Sequence, residues 1–236
     1  SIGEAEDYRL YWKSEWMSDV PNEAAKPAEA TLSSKSDAAV PDPGGKSAAT
    51  TPLDRPRRQL SSKAPDWLAA ENPEWPGNFL VKYWDPAWKS MIFGSPTALL
   101  DKIMAAGFDG VYLDKTDSND DWKKTRPTAE REMVEFVKEI ASYARVRKPG
   151  FLVVPQNGES LLVHDDYLNV IDGIGKEDLL FGGDTRKDGE PNPEKEIAES
   201  VAAMLRLKTM KKPVLAVEYL KNEEQIAKAV DRLLGY

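Results

Sequence analysis

Short apolar strands alternating with longer amphipathic helices predict an α/β fold whose parallel sheet closes into a TIM (β/α)8-type barrel. The alternation is regular after Pro65, and the strands are apolar enough to be covered on both faces. No Gly-rich phosphate turn follows any strand, which removes the usual signature of an open dinucleotide-binding sheet and favours the closed one.

The elements follow in order. Ile2-Gly3-Glu4 reads as a strand running into a carboxylate. Ser95 and Pro96 start a helix whose buried stripe is Leu99, Leu100, Ile103 and Met104, with Gly107 as its stop. Gly110-Val111-Tyr112-Leu113-Asp114 is the next strand. Pro127 opens a helix in which Met133, Phe136, Val137, Ile140 and Tyr143 repeat at helical spacing up to Pro149-Gly150. Phe151 to Val154 and Val170 to Ile174 read as strands, and Pro193 begins a helix carrying Ile197, Val201, Met204 and Leu205. Val214 to Val217 is a further strand, and a last helix spans Asn222 to Leu234.

From Pro21 to Pro65 the composition shifts to Ala, Ser, Pro, Lys and acidic residues, with no aromatic between Trp16 and Trp67. Such a stretch buries too little apolar surface to offset its ordering entropy, so residues 21–65 are expected to be a disordered, low-complexity loop inserted into a single domain spanning 1–236. A linker between two domains is disfavoured, because too few residues precede it to fold alone.

Net charge is -8, from 40 acidic and 32 basic residues, which argues against a nucleic-acid partner. The apolar runs of the 236-residue chain are too short for a transmembrane segment. There is no cysteine, so disulfides and thiolate metal sites are excluded. His164 is the single histidine, which disfavours a Ser-His-Asp triad and multi-histidine zinc sites; a structural or exposed role is expected for it. No cofactor and no metal are expected. Ser1 is followed by no basic segment with an apolar run, so the start is expected to be a cut one.

The chemistry gathers at strand ends. Glu4, Asp114, Glu159, Glu177 with Asp178, and Glu218 each lie just past an apolar strand, and in a parallel barrel such positions converge on one face. Acidic groups sharing a pocket split their pKa values, and glycoside cleavage uses that split: one carboxylic acid protonates the leaving oxygen while a carboxylate attacks or activates water. For any single one of these residues, capping the following helix is the competing role. Asp117, Asp120 and Asp121 are weaker candidates, because their run reads equally as a solvated loop; it also lacks the Gly and terminal Glu of a calcium loop. Among the aromatics, Trp84 and Trp122 are the preferred pair for stacking on sugar faces.

The segments Ser1 to Trp12, Asn72 to Trp88, Gly107 to Asp114, Pro155 to Glu159 and Gly175 to Leu179 resemble the TIM-barrel domain of glycoside hydrolase family 114, whose characterised activity is endo-alpha-1,4-polygalactosaminidase. The resemblance covers nearly the whole chain apart from residues 21–65. It implies an eight-stranded barrel, a galactosamine-containing polysaccharide cut internally, Asp114 as nucleophile and Glu177 as general acid/base. Glu159 and Glu218 stand as substitutes, and Tyr112, Gln156 and Asn157 as substrate hydrogen-bonding groups; with Glu4, Trp84 and Trp122 they complete the expected binding set. A secreted or periplasmic location is expected, its export signal lying outside this chain.

Two departures accompany the resemblance. Family members continue beyond both ends of this sequence, so the barrel is expected to be incomplete, without its first two strands and its last. Between Asp114 and Asp117 the family tends to carry apolar residues where this chain has Lys115 and Thr116. Lys115 either holds Asp114 ionised or points to solvent. A non-catalytic carbohydrate-binding barrel is the alternative function.

Overall fold

A computed structural model describes residues 1–18, 58–182 and 189–236. They divide into two compact units, one of Ala5–Leu80 and one of Ser1–Glu4 with Val81–Tyr236. Residues 21–57 of the expected inserted loop lie outside the described residues; its carboxyl end, 58–65, does not.

In the smaller unit, strands β1 (Glu4–Glu6), β2 (Leu68–Glu71) and β3 (Asn78–Val81) make a sheet in the order β1-β3-β2, with Glu4 and Val81 counted in the larger unit. Glu71 organises it. Its carboxylate is buried and accepts hydrogen bonds from the Arg58 backbone N–H, from Arg58 Nε and from the Gly77 N–H, each at 2.9 Å. Arg58 also reaches Asp7 at 2.7 Å, and Leu60 bridges to Met17. The end of the Ala/Ser/Pro-rich stretch is therefore ordered, because an arginine there meets two carboxylates. Trp12, Trp16, Trp67 and Phe79 form the apolar cluster, with centroid spacings of 4.9 to 5.5 Å.

The larger unit alternates helix and strand. Helix α1 (Pro86–Ile92) starts at Asp85, whose side chain accepts from the Ala87 N–H at 2.8 Å, with Pro86 at its first turn. Sequence reading passed over this helix, although Asp-Pro is an N-terminal signal. Its Trp88 is fully buried, and Nε1 donates to the Ile2 carbonyl at 2.8 Å. Helix α2 (Leu99–Ala105) leads to β4 (Gly110–Leu113), and the Ile2 N–H donates to the Asp114 carbonyl at 3.0 Å, setting the first residues beside β4.

After the short α3 (Asn119–Trp122), α4 (Ala129–Arg147) buries Met133, Phe136, Val137, Ile140 and Ala144 on one stripe and packs against α3 and α5 (Asp165–Val170). Each of the larger four, Met133, Phe136, Val137 and Ile140, contributes about 1.5–3 kcal/mol on burial. Strand β5 (Leu152–Pro155) pairs with β4 in parallel, Tyr112 opposite Val154. A parallel bridge from Gln156 to Gly175 joins β5 to β6 (Ile174–Glu177). Beyond α6 (Glu194–Thr209), β7 (Val214–Val217) pairs with β6 in parallel, Glu177 opposite Val217, and α7 (Glu223–Leu234) follows. From β4 to β7, strands consecutive in the chain are neighbours in space, as in successive βαβ units. The fold is α/β with small parallel sheets.

The expected strand at Val170 to Ile174 is corrected: residues 165–170 are helical and the strand begins at Ile174. Asp165 and Asp166 suit a helix first turn. At the other end, Lys212 Nζ donates to the Leu168 and Ile171 carbonyls at 2.5 Å, ending the helix before Gly173.

Candidate active site

The period-2 geometry of parallel strands decides which side chains share a face. Tyr112 points across β5 towards β6: a Cβ built on Gly175 would lie 2.0 Å from the Tyr112 hydroxyl oxygen. Tyr112 and Gly175 are therefore on one face. Asp114 lies two residues past Tyr112 and Glu177 two past Gly175, so both carboxylates belong to that face. The Tyr112 hydroxyl feels them together, since burial and then the negative charges of Glu177 and Asp114 push its pKa up.

The remaining groups arrange around this centre. Asn157 has left-handed backbone (φ 55°), and its Oδ1 accepts from the Glu177 N–H at 3.0 Å and from Lys176 Nζ at 3.4 Å. Its oxygen positions the strand that bears Glu177. The Gln156 carbonyl accepts from the Thr116 hydroxyl at 2.8 Å, tying the loop after β4 to the end of β5. Glu159 is ion-paired with Lys176 at 3.2 Å and accepts from the Ser200 hydroxyl. Burial pushes its carboxyl up, but Lys176 and Ser200 outweigh burial and hold it below the ordinary value.

Glu218 serves a loop. Its two oxygens accept from the Leu180 N–H at 2.8 Å and the Phe181 N–H at 3.2 Å, and burial raises its pKa. Register explains the placement. Val217 lies opposite Glu177, so Glu218 falls on the other face and Tyr219 on the Glu177 face. The Tyr219 hydroxyl donates to Glu177 Oε1 at 2.8 Å. Sequence reading singled out the acid and missed the tyrosine beside it; the period-2 alternation that puts Tyr112 and Asp114 on one face would also have picked out Tyr219.

Lys115 follows Asp114 with φ 63°, a left-handed conformation uncommon for a residue with Cβ. Its Nζ lies 3.6 Å from Glu4 Oε1 and 3.7 Å from Asp117 Oδ1. Burial lowers its pKa, but the carboxylates of Asp117 and Glu4, with Asp121 and Asp114 further off, raise it overall. Lys115 is a counter-ion to the acidic strand ends rather than a solvated side chain, and Glu4 is buried beneath it.

Trp84 and Trp122 engage each other edge to face at 5.0 Å, and the Arg126 guanidinium covers the Trp84 ring at 4.2 Å. His164 Nε2 meets Glu130 Oε1 at 2.6 Å, joining the loop before α5 to the start of α4. Among the described residues, no group of three or more His, Asp or Glu side chains is placed to hold a metal ion, and no helix is long and apolar enough to cross a membrane. Two surface grooves lie elsewhere, one along α5 and α6 beside Asp165 and Arg206, the other beside Phe181 and Arg232. On the carboxylate face Asp114 and Glu177 are half-buried, and Tyr112 and Tyr219 are about half exposed.

Comparison with known proteins agrees in kind. Residues 47–233 match the family described as Glycoside-hydrolase family GH114. A protein of Thermotoga maritima is 31% identical over 100% of this chain and 58% of its own length, and one of Methanocaldococcus jannaschii is 34% identical over 98% and 55%. A third, from Deinococcus radiodurans, is 37% identical over 72% and 52%. The chain thus spans about half the length of the curated relatives it matches, and these are described only as uncharacterized proteins. Among solved structures, the glycoside hydrolase domain of PelA from Pseudomonas aeruginosa superposes with a TM-score of 0.55 at 19% identity, over 72% of this chain and 66% of that one. At that identity the likeness is one of fold.

Proposed function

Because this chain belongs to glycoside hydrolase family 114, we propose that it carries the catalytic carboxylates of a glycosidase that cuts a galactosamine-containing polysaccharide internally. The observation that carries the reading is the shared face of Asp114 and Glu177, with Tyr112 under the charge of both.

The chemistry divides between the two acids. Glu177 in its protonated form gives its proton to the glycosidic oxygen as the bond to the anomeric carbon breaks. The Asp114 carboxylate attacks that carbon, and Glu177 then takes a proton from the water that releases the sugar. Tyr112, with Gln156 and Asn157 beside it, bonds the sugar hydroxyls. The negative charges that act on Tyr112 and Tyr219, from Asp114, Glu177 and Asp178, favour a polymer bearing protonated amines. A polymer of this kind lies outside the cell, which places the enzyme in a secreted or periplasmic setting.

The test is hydrolysis of partially deacetylated α-1,4-linked galactosaminogalactan by the parent protein and by Asp114→Asn. Turnover by the parent and its loss in the variant, with polymer binding retained, is the expected result. Binding by the parent without turnover would replace the enzyme with a carbohydrate-binding barrel.

A further inference from the structure

We propose that Tyr219 is a positioning residue for Glu177 and that its ring is a sugar-stacking platform of the same subsite, an inference that rests on the glycosidase reading above. Three independent placements converge on it. The register puts Tyr219 on the face of Glu177, because Val217 lies opposite Glu177 and Tyr219 is two residues further on. The hydroxyl donates to Glu177 Oε1 at 2.8 Å. The side chain is nonetheless 57% exposed, so the ring is presented to solvent while its tip is held.

Each fact has a consequence for the chemistry. A carboxyl group that shuttles a proton works through one oxygen at a time; fixing Oε1 leaves Oε2 as the oxygen facing the glycosidic bond and sets the plane of the group. The Glu177 N–H is fixed from the opposite side by Asn157 Oδ1 at 3.0 Å, so backbone and head group of the acid are both held. An exposed phenol is a poor stabiliser of a fold, yet this one is tied down by a charged acceptor, and that bond is the largest reason its pKa is pushed up to about 12. A ring with a fixed tip and a wet face suits the apolar face of a hexose. Trp84 is less suited, because the Arg126 guanidinium already covers its ring.

The two roles separate with two variants. Tyr219→Phe keeps the ring and removes the donor: kcat falls by about tenfold with KM little changed. The donated bond is made to Glu177 Oε1, so its loss moves the alkaline limb of the kcat/KM profile. Tyr219→Leu removes the ring as well and raises KM several-fold. Because the residue is exposed, both variants are expected to unfold at the parent temperature. An unmoved alkaline limb in Tyr219→Phe overturns the positioning role, and an unchanged KM in Tyr219→Leu overturns the platform. A measurement free of turnover accompanies these. In protein carrying 13C at the tyrosine ring, the Tyr219 midpoint, about 12 in the parent, drops towards the ordinary 10 in Glu177→Gln; a midpoint that stays put sinks the proposal even if the polymer is hydrolysed. If the parent leaves the polymer intact, the glycosidase reading falls and the platform with it, while the phenol titration still decides whether Tyr219 holds Glu177.

Discussion

Replacing Gly175 by alanine tests the geometry of the carboxylate face through a single methyl group. A Cβ there would sit 2.0 Å from the Tyr112 hydroxyl oxygen, 2.5 Å from Cε2 and 2.6 Å from Cζ, so the phenol must leave its place. The atoms displaced are the far end of a side chain that is 47% exposed, and it can swing to solvent. Gly175 does not have positive φ, so alanine fits its backbone and restricts the unfolded chain, a gain of about 0.4–1 kcal/mol. Set against partial loss of ring packing, the net change in stability is expected to stay within about 1 kcal/mol. Activity should respond quite differently. If Tyr112 contributes one hydrogen bond and one ring contact to the transition state, about 1–3 kcal/mol goes with it, roughly 5- to 150-fold in kcat/KM. The assay is a double-mutant cycle of Gly175→Ala and Tyr112→Ala, read by thermal unfolding and polymer hydrolysis. Gly175→Ala should impair the parent and do almost nothing once Tyr112 is alanine. An equal loss in both backgrounds would refute the claim that Gly175 acts through Tyr112.

Other expectations follow from the same contacts. Glu71→Gln removes one of the two charges that hold Arg58, in a side chain 6% exposed, and should lower the unfolding free energy by about 1.5–3 kcal/mol in denaturant titrations; a loss under about 0.5 kcal/mol would mean Arg58 is not pinned there. Lys115→Met takes the cation from above the buried carboxylate of Glu4 and should cost about 3 kcal/mol or more, with Glu4→Gln in the same chain restoring over half of it; no restoration would show that the two do not interact. Glu159 is held below its ordinary value near 4.5, so its contribution is complete above that value and lost as pH falls through the folded one. The stability gap between parent and Glu159→Gln should therefore be widest at neutral pH and shrink below about pH 4; a gap that widens on acidification would reverse the sign of the argument.

The parts of this fold legible in the sequence were those with a period. The α4 stripe of Met133, Phe136, Val137 and Ile140 is buried where helical spacing put it, and the strands over Gly110–Leu113 and Val214–Val217 stand where their apolar runs put them. Two failures have physical causes. Ile171 and Ile174 are both fully buried, but one caps a helix and the other starts a strand, and burial alone cannot assign a period to so short an apolar run. The Ala/Ser/Pro-rich stretch looked uniform, yet Arg58 is anchored by Asp7 and Glu71, a pairing across distant chain positions that no local pattern records.

The site was legible as a list of acids and illegible as a partition among them. Glu177 and Glu218 both lie at strand ends, but one residue of register sends Glu218 to the amides of Leu180 and Phe181 and Tyr219 to Glu177. Past the strand ends, register is set by turns that the sequence disguises. Lys115, Asn157 and Asp178 have φ of 63°, 55° and 51°, each within two residues of the end of β4, β5 or β6, and none is glycine. Left-handed backbone is tolerated by Asn and Asp but costs a lysine roughly 1 kcal/mol or more. Around Lys115 that cost is offset by what the turn achieves: the ammonium is carried to Glu4 and Asp117, and the Ile2 N–H donates to the carbonyl of Asp114. A strand that stopped one residue earlier or turned right-handed would keep the same acids and point them elsewhere. The selectivity of the face thus lies in these left-handed turns as much as in the carboxylates they aim.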